Sequence, residues 1–227
     1  MTKVRKFFSR RNKVYLVSDG EKQLIYKQYT DAETCAREKT NLEMLASCGL
    51  TVPQIEGGAD KALLLSYLNG LTYEQVLRKY EQGLLNDEQA AAAFAALIKW
   101  LEKYFVATKG ALRGDVNLRN FLYLPNQTCV GIDFEDRLIN GDISKDIGRI
   151  LAFIATYEPP FSDKKLLLCS HLLNVIDINS PFYCADYRNI IAIAYRSEIQ
   201  DMNRRRSDFA PLAARAENFL QKIISSS

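Results

Sequence analysis

The apolar spacing of this chain changes character once, near Asn69-Gly70, and that change limits the folds open to it. Before it, the pattern is mostly extended. Val14-Tyr15-Leu16-Val17 is β-branched and aromatic, Asp19-Gly20 is a hairpin turn signal, and residues 23–29 resume the extended pattern. Residues 31–47 then read as a helix, with Gly49 as its stop and Cys35, Leu42, Leu45 and Ala46 as its apolar stripe. The run 62–68 has the length of a buried strand and ends at Asn69-Gly70. Beyond that break the spacing is helical. A short helix is expected over 72–80. Asn86, with Gln89 three residues on, forms a capping-box pattern that opens a helix to about residue 105, whose stripe is Phe94, Leu97, Ile98 and Leu101. Two short strands, 120–124 and 128–133, flank a Pro125-Asn126 turn, and helices are expected at about 145–155, 164–176, 185–202 and 211–224. The expected architecture is therefore α+β, with a β-rich part (1–69) hinged to a mostly helical part (70–227). The 227 residues can bury a core of that size.

A single histidine, His171, excludes much chemistry. It sits in an apolar helical stretch (166–173) and is read as structural. Serine hydrolase, cysteine protease and histidine-rich metal chemistry all need imidazole in the right place. Any catalysis is then expected to run on carboxylates, amides and lysine. Five scattered cysteines with no CxxC spacing support neither a disulfide framework nor a zinc cluster. No apolar run approaches the ~20 residues of a membrane span, and the first residues lack a signal-peptide pattern, so a cytoplasmic protein is expected. The net charge of +3 is unevenly spread: residues 1–30 carry eight Lys/Arg against two Asp/Glu, and residues 31–144 carry 11 against 16. Ordinary solvated surface accounts for that spread, although a basic rim facing an acidic centre would look the same.

Three features carry chemistry. Asp115 lies in a loop, Arg113-Gly114-Asp115, and Asn120 follows five residues later, just before a strand. Asp133 ends the next strand in Ile132-Asp133-Phe134-Glu135-Asp136. A hairpin joining these strands brings Asn120 near Asp133, and an amide oxygen with carboxylates is a ligand set that Mg²⁺ accepts. Asp115 then remains to orient or deprotonate a hydroxyl. The third feature is Lys27, in an otherwise apolar strand, with Glu38. Glu38 stands three residues after Cys35 and four before Leu42, which places its carboxylate on the inward stripe, whereas Glu43 lies about 140° further round. An inward glutamate needs a cationic partner, and Lys27 is the candidate.

Taken together, these pieces resemble the protein-kinase-like fold, in particular the aminoglycoside phosphotransferase/choline kinase family. The matching pieces are Ile25-Tyr26-Lys27, Arg37-Glu38-Lys39 with Leu50-Thr51-Val52-Pro53, residues 64–70, Gly114-Asp115 with Asn120, Ile132-Asp133-Phe134, and Gly141-Asp142 with Asp146, in family order over residues 14–155. The resemblance implies a bilobal α+β fold and transfer of the γ-phosphate of ATP, with Mg²⁺, to a hydroxyl of a small molecule: aminoglycoside-like, amino-alcohol or sugar. It implies that Lys27 contacts the phosphates and Glu38 holds it. Ser66 and Leu68 would offer backbone groups to adenine, and Asp115 would be catalytic. Asn120 and Asp133 would bind magnesium, and Asp146 would brace the catalytic loop. No nucleic-acid partner and no membrane span are expected, and the chain would act as a monomer or homodimer. Two departures stand out: Arg113 where the family usually has histidine, and Glu135 where glycine usually follows Asp-Phe. Residues 7–12 also lack a glycine-rich phosphate loop. Two other readings stay open. A compact atypical serine/threonine protein kinase fits the short length and the run Arg204-Arg205-Arg206, which reads otherwise as solvated helix end. A nucleotide-binding pseudokinase without turnover fits the Arg113 substitution.

Overall fold

The computed structural model describes residues 1–9, 11–176, 183–205 and 210–225, so Arg206 of the basic run lies outside the described residues. Five strands near the start, β1 (Thr2–Phe7), β2 (Lys13–Asp19), β3 (Lys22–Gln28), β4 (Ile55–Ala59) and β5 (Ala62–Ser66), form an antiparallel sheet in the order β1-β2-β3-β5-β4. The apolar spacing predicts neither β1 nor β4. In β1 only Val4 and Phe7 are apolar, they do not fall on alternate positions, and all its residues but Phe7 are exposed. A charged edge strand of this kind discourages sheet-to-sheet association. Between β3 and β4 runs α1 (Ala32–Ser47), capped by Asp31, whose carboxylate accepts from the Thr34 N–H at 2.7 Å. Gly49 follows the helix at φ +76°, a conformation that glycine adopts without steric cost. The stripe holds at Cys35, Leu42 and Leu45, with Glu38 buried among them and Glu43 exposed. Ala46, expected on the stripe, is exposed, one residue before the helix ends and at the edge of the buried stripe, about 100° round from Leu45.

The remainder is mostly helical. After β6 (Leu71–Thr72) come α2 (Tyr73–Glu81) and α3 (Asp87–Ala107). The expected Asn86/Gln89 capping box is fully formed, and Phe94, Leu97, Ile98 and Leu101 are all buried. β7 (Ala111–Leu112), β8 (Phe121–Tyr123), β9 (Cys129–Gly131) and β10 (Ile139–Asn140) make two small ladders, β6-β8-β9 and β7-β10. α4 (Ser144–Thr156), α5 (Asp163–Val175), α6 (Tyr187–Arg205) and α7 (Ala210–Ser225) complete the chain. One buried cluster runs from Tyr29 and Leu42 through Phe94 and Phe121 to Ile223, so both parts share a core. His171 is exposed on α5, and Tyr73 is a core residue whose hydroxyl donates to the Ala93 carbonyl at 2.7 Å. Among the described residues, no helix is long and apolar enough to cross a membrane.

The closest helix contact is between α4 and α6. A Cβ on Gly148 would meet the Ile191 carbonyl oxygen at 2.3 Å and the Ala194 Cβ at 2.7 Å. Both obstacles belong to a packed helix rather than to a mobile side-chain tip. Gly148→Ala is therefore expected to destabilise the fold by about 1–3 kcal/mol through overpacking, despite alanine's better helix propensity. A urea melt that showed an unchanged or higher midpoint would refute this.

α6 and α7 are also joined by a two-pronged pair. Arg196 Nε and Nη2 donate to the two oxygens of Glu217 at 2.9 and 2.8 Å. This bonding pulls the Glu217 pKa from 4.5 down to about 2. The folded state thus keeps Glu217 ionised where the unfolded chain takes up a proton. The pair's contribution is complete above pH 4.5 and is lost as pH falls towards 2. Arg196→Gln should flatten that part of the acid limb of stability against pH, and an identical limb in both proteins would contradict the assignment.

Candidate active site

The centre of the site is a lysine held by carboxylates from two distant segments. β3 pairs Lys27 with Val14 on one side and Leu63 on the other, in the middle of the sheet. Its ammonium lies 2.6 Å from Glu38 Oε2, 2.5 Å from Asp133 Oδ1 and 3.6 Å from Glu135 Oε2. Lys27 is 6% exposed and Glu38 1%. Burial alone would lower the Lys27 pKa, but the negative charges of Glu38 and Asp133 outweigh it and hold the ammonium charged above its ordinary range. Tyr29, two residues along, donates to the same Glu38 oxygen at 2.7 Å. Its phenol stays protonated because of burial and of Glu38. The other Glu38 oxygen accepts from the Phe134 N–H at 3.1 Å. One glutamate of α1 thus fixes the lysine of the sheet and the loop after β9 together.

That loop is gripped further by α1. Asn41 Nδ2 donates to the Phe134 and Asp136 carbonyls at 2.8 and 3.2 Å, and Arg37 Nε donates to the Glu135 carbonyl at 2.7 Å. Asp133 has a left-handed backbone, φ +67°, and a side chain 38% exposed. Non-glycine residues in that region cost energy and persist where their surroundings hold them, often at functional sites. Glu135 turns back towards the first strands. Its Oε2 accepts from Asn12 Nδ2 at 2.5 Å, and burial, reinforced by Asp133, raises its pKa.

The hairpin expectation is met in the backbone. β8 pairs with β9, and the Ile132 N–H donates to the Asn120 carbonyl at 2.9 Å, which sets Asn120 opposite the residue before Asp133. Asn120 Nδ2 reaches back to the Asp115 carbonyl at 3.3 Å. Asp115 itself is exposed, and its Oδ1 accepts only a long bond, 3.3 Å, from the Asn117 N–H. Asp146, at the start of α4, is 2% exposed and accepts from the Arg113 N–H at 2.6 Å and the Gly114 N–H at 3.3 Å. It ties the Asp115 loop to the helix.

Arg113 links the same two loops by its side chain. Its Nη2 donates to the Ile132 and Asp133 carbonyls at 2.8 and 2.6 Å, and its guanidinium lies 4.7 Å from the centre of the Phe134 ring. Its side chain thus ties the Asp115 loop to the loop after β9. Ser66, at the end of β5, donates its N–H to the Gln54 carbonyl at 2.8 Å, so that donor is engaged within the protein, while Leu68 lies half-buried in the link to β6.

Asp115 opens onto a cleft of about 620 Å³. Its far wall, formed by Arg149 of α4 and Glu198, Asp201, Arg204 and Arg205 of α6, was not anticipated as a site. Arg204 and Arg205 were read as solvated, because a charge at a helix end gives no sign of what the helix faces. Glu38, Asp133 and Glu135 place carboxylate oxygens within 4.8 Å of one another, and the Lys27 ammonium already occupies the space among them.

No family model and no curated protein matches this sequence. Among solved structures, an ethanolamine kinase from Plasmodium vivax resembles it with a TM-score of 0.53 at 12% identity, over 98% of this chain and 81% of that one. That likeness establishes the fold: a small β-sheet region followed by a helical part.

Proposed function

We propose that this chain is an ATP- and Mg²⁺-dependent phosphotransferase that acts on a hydroxyl of a small molecule. The observation that carries the reading is the Lys27 ammonium clamped between Glu38 and Asp133, with Asp115 exposed in a cleft that is also lined by Asp136, three residues after Asp133. A lysine–glutamate pair with an aspartate close by that can hold a metal is the arrangement that kinases of the protein-kinase type use for phosphoryl transfer, where catalysis is mostly positioning and charge neutralisation. Residues 1–69 would hold the nucleotide and 70–227 the acceptor.

Lys27 would contact the phosphates, with Glu38 keeping its chain extended towards them. Asn120 and Asp133 would hold magnesium, which supplies charge neutralisation on the phosphate oxygens. Asn120 commits its amide nitrogen to Asp115, which leaves its amide oxygen for the cation. Leu68 would offer backbone groups to adenine, and Ser66 its carbonyl. In the reaction the acceptor oxygen bonds to the γ-phosphorus while the bond from phosphorus to the bridging oxygen breaks. ADP leaves with that electron pair, and Asp115 takes the hydroxyl proton.

A thermal melt with Mg-ATP tests the nucleotide half of the reading. Ligand at 100 times its dissociation constant should stabilise the fold by about 2.7 kcal/mol. Asp133→Ala should lose the magnesium-dependent part of that shift. No shift in the wild-type protein at millimolar Mg-ATP would overturn the proposal. The pseudokinase reading draws on Glu135, which brings a third carboxylate to the lysine that must receive phosphates. A Mg-ATP shift with no ADP release towards any hydroxyl compound would favour it.

A further inference from the structure

The geometry points to an acceptor that carries an anionic group, a phosphate or carboxylate, on the side away from the reacting hydroxyl. This inference rests on the phosphotransferase reading and assigns the substrate class of that cleft.

The cleft is polarised. At the loop side stand the carboxylates of Asp115 and Asp136. At the helical side, three guanidiniums, of Arg149, Arg204 and Arg205, face two carboxylates, of Glu198 and Asp201. Arg204 pairs with Asp201 at 2.6 Å, which balances both. Arg149 and Arg205 share the buried Glu198, at 3.5 and 2.7 Å, and Arg149 also feels the buried Asp146 behind it, so the three guanidiniums of this wall face two carboxylates of its own lining.

The arginines are also anchored. Arg149 Nη1 donates to the Gly114 carbonyl at 3.0 Å, one residue from Asp115, and Arg205 Nε donates to the Asp201 carbonyl at 3.1 Å. Anchoring removes much of the entropy cost of presenting the remaining N–H groups, and a guanidinium fork matches the oxygens of phosphate or carboxylate. A cationic amino-alcohol would meet the wrong charge on this wall. Since Arg149 contacts the backbone beside Asp115, a bound anion on the wall would also set the distance of the acceptor hydroxyl from Asp115.

The test uses acceptors with one scaffold and different charge: glucose, glucosamine, glucuronate and glucose phosphate. Binding is measured by calorimetry and turnover by ADP release with Mg-ATP, in the wild-type chain and in Arg205→Gln. An anionic member should bind about ten-fold or more tighter than glucose and glucosamine, and Arg205→Gln should remove most of that preference, as expected for a charge-assisted hydrogen bond. Whether glucuronate or glucose phosphate is preferred tells carboxylate from phosphate. If Arg205→Gln melts early, Arg205→Lys, which keeps the charge and loses the fork, should show a smaller loss in the same direction. Equal or tighter binding of glucose or glucosamine, binding of none of the four, or an anion preference that survives Arg205→Gln overturns the inference. Preferred anion binding with no ADP release upholds the anion site and overturns the phosphotransferase reading instead.

Discussion

Asp115→Ala should lower turnover by about 10²–10⁴-fold, the range for loss of a positioned proton acceptor, and should leave Mg-ATP binding and stability nearly unchanged. The two halves of this expectation have separate causes. Asp115 is exposed and its side chain accepts one long hydrogen bond, so little of the fold depends on that carboxylate, and surface substitutions of that kind usually stay within about 0.5 kcal/mol. Its carboxylate nevertheless stands at the mouth of the cleft, held in place through Asp146 and through the Arg149 contact with Gly114. Steady-state ADP release and calorimetric Mg-ATP binding on the same preparation separate the two. Turnover within a few-fold of wild type would remove Asp115 from the mechanism. Lost turnover together with lost nucleotide binding would mean that it acts on the nucleotide and not on the acceptor.

Glu38→Ala should be the most destabilising single change at this site. Removing one member of a buried ion pair typically costs about 3–5 kcal/mol, because the remaining charge stays buried. Here Asp133 and Glu135 still face Lys27, which moves the expectation to the lower end, about 3 kcal/mol. The same change strips the acceptor from the Tyr29 hydroxyl and the Phe134 N–H, so the sheet lysine and the Asp133 loop lose their common tie. Loss of the Mg-ATP stabilisation should accompany the fall in stability. Glu38→Gln keeps the shape and an acceptor oxygen but not the charge, so it should lie between alanine and wild type in a urea melt. A cost below about 1 kcal/mol for alanine would show that the buried pair does not organise the site.

Much of this centre was legible in the residues. Glu38 could be assigned inward because three and four residues separate it from Cys35 and Leu42, and helix periodicity is a local property. The hairpin of the two strands flanked by Asn120 and Asp133 follows from the turn signal between them, and it sets Asn120 opposite Ile132, the residue before Asp133. The arginine at 113 was noticed but not understood: its bonds to the Ile132 and Asp133 carbonyls depend on a loop some twenty residues away. β1 was missed because an edge strand of charged residues has no apolar alternation to detect.

By itself, then, the sequence determined the change from extended to helical character, the inward glutamate, the lysine on its strand and the two turns that carry Asp115 and Asp133, since each follows from the spacing of near neighbours. The tertiary structure alone decided how α1 grips the loop after β9 through Arg37 and Asn41, how Glu135 reaches Asn12, and what lines the cleft. Arg149 and Arg205 lie on different helices, and nothing in either helix marks which charges face water and which face a cavity. That is settled only when α4 packs on α6 at Gly148, where the absence of a side chain lets the helices close and bring both arginines to one carboxylate, Glu198, beside the Asp115 loop.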